Sequence, residues 1–114
     1  MDQNPANEQR LYKRIKRRFI LRTAIFGETP LSWSHVTIFD LSSGGIFFIF
    51  DKPVRTGMLL HFKIDFPDRV IECMGRVRRL IAETGGGFQK VGASFEGIQP
   101  ADRDYIDRFV EASS

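Results

Sequence analysis

A single cysteine, Cys73, in a chain of 114 residues excludes an internal disulfide and fits a reducing compartment. Long apolar runs are missing as well. The longest covers residues 46–50, far short of the roughly 20 residues that a membrane-crossing helix needs. The opening stretch MDQNPANEQR holds no apolar core, so no secretory signal is expected, and the protein is expected to be soluble and cytoplasmic. Metal-ligand spacing is absent: His35 and His61 lie far apart without cysteines or carboxylates set beside them, and each reads as a strand surface residue. No nucleophile–base arrangement, P-loop or dinucleotide fingerprint occurs. Gly85-Gly86-Gly87 lacks the Lys-Ser/Thr pair and the following helix of a phosphate cradle, and reads as a hairpin tip. Cys73 sits inside a strand pattern with no base beside it, which suits an inert buried thiol. Asp51, Asp65 and Asp68 bracket loops, where aspartate bonds to its own backbone. An enzyme is not expected, nor a metal.

What the chain does have is phenylalanine, eleven of them. Wide flat rings at that density suit strands and the space between sheet faces. Six strands follow from the turn signals and the apolar pattern: residues 19–26, 33–41, 46–50, 58–66, 70–82 and 88–95. The second has Trp33, Val36, Ile38 and Phe39 as its apolar contacts, and the third is short and apolar enough to be covered on both faces. In the fourth, Leu60, Phe62, Ile64 and Phe66 alternate with His61, Lys63 and Asp65, the mark of a half-buried strand. By parity the fifth puts Ile71, Cys73, Gly75, Val77 and Arg79 on one face and Val70, Glu72, Met74, Arg76, Arg78 and Leu80 on the other. Pro100 then opens a helix where its missing N–H costs nothing, with Tyr105, Ile106, Phe109 and Val110 as an apolar stripe. The expected fold class is all-β, a six-stranded antiparallel barrel closed by a C-terminal helix. Residues 1–9 read as disordered and residues 10–112 as a single domain.

The net charge of +3 conceals an asymmetry. Residues 10–22 carry seven basic side chains (Arg10, Lys13, Arg14, Lys16, Arg17, Arg18, Arg22) and no acid, while residues 23–114 are slightly acidic. A block of like charge repels itself, and a local block suggests a local anion rather than a long nucleic acid. Leu11, Ile15 and Phe19 recur every four residues, which permits a short amphipathic helix within a flexible basic arm. Eighteen residues after Arg22 comes Asp40-Leu41-Ser42-Ser43-Gly44-Gly45, a polar turn between apolar segments. Such a turn can simply cap itself, with the two glycines relieving it. Paired with a block of arginines, it can instead recognise guanine, because a carboxylate accepts from guanine N1–H and N2–H, a pair that adenine does not present.

Residues 17–22 have the form RRxxxR, and Asp40-x-Ser42-x-x-Gly45 has the form DxSxxG. With the spacing between them, the apolar strand after Gly45, the strand Val91-Gly92-Ala93-Ser94-Phe95 and the final helix, the sequence resembles the PilZ domain family of bacterial cyclic di-GMP receptors over about residues 10–112. The resemblance implies a PilZ-like split barrel and a cyclic di-GMP site made of Arg17, Arg18, Arg22, Asp40, Ser42 and Gly45. It implies one ligand molecule or an intercalated pair, and an N-terminal arm that folds over the nucleotide and signals to a downstream partner in motility, exopolysaccharide output or a related process. Arginine suits the ligand's phosphates and its O6/N7 edges because its planar fork donates in pairs, and it stacks on purines. Gly45 would let the backbone come close, with a positive φ open to it. Arg14/Arg18 is the second choice for the working pair, and Arg78 or Arg79 could flank a second guanine. An adaptor of the same fold without nucleotide binding is the main alternative. A single-stranded nucleic-acid barrel would need a long positive groove that this body lacks.

Overall fold

The computed structural model describes residues 19–82 and 87–113. Six strands occur in the expected order: β1 (Ile20–Ile25), β2 (Ser34–Leu41), β3 (Gly45–Phe50), β4 (Leu59–Phe66), β5 (Arg69–Ala82) and β6 (Gln89–Glu96). Among the described residues one helix, α1 (Pro100–Ser113), follows β6. The strands close into an antiparallel barrel in the order β1-β2-β3-β6-β5-β4. Trp33 stands just before β2 rather than in it.

Alternation fills the interior. Leu60, Phe62, Ile64 and Phe66 of β4 all point inward, facing Ile71 and Val77 of β5, Val91 and Phe95 of β6, and Phe48 and Phe50 of β3. The rings meet edge-on, Phe48 with Phe62 at 5.8 Å and Phe62 with Phe95 at 6.0 Å. That is the preferred contact of aromatic quadrupoles. Gly75 of β5 makes room for this: a Cβ there would collide with the Phe62 ring. Strand β3 differs from expectation. Ile46, Phe48 and Phe50 are buried, but Phe47 and Ile49 are half-exposed, so only one face is covered.

Helix α1 caps one end of the barrel. Ile106 and Phe109 are buried, with Tyr105 and Val110 packed beside them, as the stripe predicts. Phe109 meets Phe66 at 4.7 Å, and Phe19, at the start of the described chain, packs against both rings. The Tyr105 hydroxyl donates to Asp68, and Arg103 Nη1 reaches the Ser43 carbonyl at 3.4 Å, so the helix touches the β2–β3 turn. The seams differ in length. Strands β4 and β5 register over residues 59–66 and 69–76, whereas β1 and β2 register over residues 21–23 and 34–36.

Two seams carry a slip. The β2–β3 register shifts between Ile38 and Asp40, and the β5–β6 register between Val77 and Arg79. Each is a β-bulge, in which one extra residue on a strand reverses the facing of everything after it.

Candidate functional site

Both slips act on a charged residue. Val36 and Ile38 face the core, and strict alternation would drive Asp40 inward after them. The extra residue, Phe39, turns Asp40 outward opposite Phe47 and returns Leu41 to the core. In β5 the inward series Ile71, Gly75, Val77 would continue to Arg79, the face the sequence parity assigns it. The bulge at Arg78 corrects that assignment: Arg79 stands outside opposite Gly92, and Leu80 packs against the core opposite Val91. A buried guanidinium or carboxylate without a partner costs several kcal/mol, so the slips remove a penalty.

They also deliver the two charges to one place. A cleft of about 470 Å³ on the outer face of the barrel is lined by Asp40, Ser42, Gly45, Phe47, Arg78 and Arg79, among others. Asp40 Oδ1 accepts the Leu41 N–H at 3.0 Å, which fixes its carboxylate. Ser42 Oγ accepts the Gly44 N–H at 3.2 Å, so its own hydroxyl proton is left to donate outward. Arg79 stacks its guanidinium 5.1 Å from the Phe47 ring centre, and Phe47 meets Phe39 at 5.7 Å. Arg78 Nε donates to Ser94 Oγ at 2.8 Å. A carboxylate, a hydroxyl donor, a stacked planar cation and an anchored one thus surround one opening.

Of the two reasons offered for Gly45, close backbone approach is the one the geometry displays. Gly45 is not among the positive-φ glycines, and a Cβ there would run into the Ala93 carbonyl oxygen. Close approach of β3 to β6 requires glycine, and that approach forms the floor of the cleft.

The remaining motif residues separate. Arg17 and Arg18, with Arg14, lie outside the described residues. Arg22 is on β1, registered with His35 and Lys63, and its Nη2 binds Asp65 Oδ2 at 2.8 Å. His35 is five residues from Asp40 along β2, roughly 16 Å at strand rise, and Arg22 is not among the residues that line the cleft. Asp65 is accordingly a strand residue with a cross-strand partner, while Asp68 lies in the β4–β5 turn as expected and accepts from the Tyr105 hydroxyl. Phe47 and Ser94 are cleft residues that the sequence pattern passed over. The signal available for such a site was the Arg78-Arg79 doublet itself, since two adjacent arginines in a strand cannot both face out without a bulge.

His35 is exposed, and His61 lies between Phe26 and Trp33 at 5.4 and 6.1 Å. Among the described residues no cluster could hold a metal ion. Burial pushes the Cys73 thiol up to about 12, with the charge of Asp102 adding to the effect, so it carries no thiolate at neutral pH. No described helix is long and apolar enough to cross a membrane.

The described residues thus form a small closed barrel, capped by a helix and bearing a charged cleft on its wall. The family model of the PilZ domain matches residues 8–112. The chain belongs to the PilZ domain family. No curated protein sequence matches it. Among solved structures, that of the Bacillus subtilis inhibitor of motility (MotI/DgrA) is similar, with a TM-score of 0.66 and 20% identity over 81% of this chain. This chain spans 46% of that protein, and the likeness is one of fold.

Proposed function

We propose that this chain is a cytoplasmic receptor for cyclic di-GMP that passes ligand binding on to a protein partner. The observation that supports it is the meeting of Asp40, Ser42 and Gly45 with Arg78 and Arg79 around one cleft of a PilZ barrel. Asp40 would accept from guanine N1–H and N2–H, and Ser42 would donate to a phosphate oxygen. The plane of Arg79, already stacked on Phe47, offers a second purine a face. The basic residues before β1, Arg17 and Arg18 first among them, would close over the phosphates. Because Asp65 already engages Arg22, Arg14/Arg18 becomes the better working pair than Arg18/Arg22. The partner would act in motility, exopolysaccharide output or a related process, the first of these being the one named for the similar Bacillus subtilis protein.

Calorimetric titration of the full chain with cyclic di-GMP tests this. The expected result is saturable binding, at one or two ligands per chain, that GTP competes for only weakly and poly-A not at all. Competition by poly-A with a steep salt dependence would point to a nucleic-acid barrel instead. The engagement of Arg22 by Asp65 favours a second reading, an adaptor of this fold that binds no nucleotide. A flat titration in a sample with a normal melting curve would select it.

A further inference from the structure

Arg78 reaches the cleft already held from behind. While Nε donates to Ser94 Oγ, Nη2 lies 3.6 Å from Glu96 Oε2. Glu96 is gripped more firmly by Arg76, whose Nε approaches Oε2 at 2.6 Å and whose Nη2 approaches Oε1 at 3.1 Å. Arg76 in turn donates from Nη1 to the Gly57 carbonyl at 2.8 Å. The hydrogen bond from Arg76 holds the Glu96 carboxyl below its ordinary range, so it stays charged at neutral pH. The two arginines therefore share one carboxylate unequally. Arg76 has a bidentate hydrogen bond, and Arg78 has an ion pair too long to be one.

We infer that Glu96 sets the affinity of the cleft, as an internal anion that steadies Arg78 and that an incoming phosphate displaces. The identity of the ligand rests on the cyclic di-GMP assignment above, but the competition concerns any phosphate. Ser94 fixes where the guanidinium sits, and Glu96 fixes how readily it is given up. Two substitutions should then act in opposite directions. Glu96→Gln keeps the shape and removes the competing charge, which raises phosphate affinity, roughly threefold to tenfold at low salt. Arg76→Gln releases the carboxylate from its stronger partner and draws it toward Arg78, which lowers affinity. A substitution that merely loosened the barrel would lower affinity in both.

The experiment is a pair of titrations of the full chain, one with cyclic di-GMP by calorimetry and one with inorganic phosphate, followed through the Arg78 Nε–H resonance. Wild type, E96Q, R76Q and a charge control, E72Q, are compared, with melting midpoints recorded for each. Glu72 is six residues from Arg78 along β5, so E72Q should match wild type. In an R78Q background, E96Q should change nothing, because the coupling passes through that one guanidinium. The inference is overturned if E96Q leaves affinity unchanged or weaker, if its gain survives in R78Q, or if neither titrant moves the Arg78 resonance. Should cyclic di-GMP fail to bind while phosphate keeps the predicted order, the ligand assignment falls and the role of Glu96 stands.

Discussion

The inside of this barrel and the cleft on its wall are built by opposite uses of the same strands. The interior is regular: Leu60, Phe62, Ile64 and Phe66 alternate without interruption, and Phe62 meets rings from β3 and β6 edge-on. The cleft exists where regularity fails, at the slips around Phe39 and Arg78. The interior is therefore defended by volume and the cleft by charge placement. Damage to the two regions should show up in different measurements.

The largest effect belongs to the interior. Phe62→Ala removes a fully buried ring between Phe48 and Phe95 and should cost about 3–5 kcal/mol of stability by urea denaturation. A loss below about 1 kcal/mol would mean that the rings repack freely and that the contrast is overdrawn. The cleft should behave in reverse. Asp40→Ala is expected to leave stability within about 0.5 kcal/mol of wild type and to weaken cyclic di-GMP binding by about 1–3 kcal/mol. Arg22→Ala sharpens the boundary, because Arg22 pairs with Asp65 away from the cleft. It should cost on the order of 1 kcal/mol of stability or less and leave affinity near wild type. Equal binding losses in the two variants would join Arg22 to the cleft after all.

The smallest effect is a pH dependence. The Glu96 carboxyl is lowered chiefly by its hydrogen bond from Arg76. A lowered folded-state value means the pair stabilises the fold above the unfolded glutamate value of about 4.3, and this contribution is lost as pH falls through the folded value. The gap in melting temperature between wild type and E96Q should be present at neutral pH and shrink on acidification. A gap that widens in acid would contradict the assignment.

Much of the fold could be read from the chain because burial follows period two so closely in β4, and because Pro100 and the Tyr105, Ile106, Phe109, Val110 stripe mark α1. The family could be read from RRxxxR and DxSxxG in that order ahead of a six-strand pattern, and of those residues Asp40, Ser42 and Gly45 gather at one opening. Arg79 was misplaced by the very parity that worked elsewhere, since a bulge leaves no mark in hydropathy; only an improbable inward charge hints at it. Phe47 escaped notice because it belongs to a wholly apolar run, in which nothing separates the covered face from the open one. The pairing of Arg22 with Asp65 of β4, and its absence from the residues that line the cleft, could not be read from its place in the motif.

The brevity of the β1–β2 seam has a mechanical meaning. A closed cylinder spread from within opens where the fewest main-chain bonds resist, and here that line runs along the strand that carries Asp40. Amide protons there should be the first to exchange with solvent, well before those shared by β4 and β5. The proposed recognition of a bulky dinucleotide and the earliest breathing of the barrel would then share one strand.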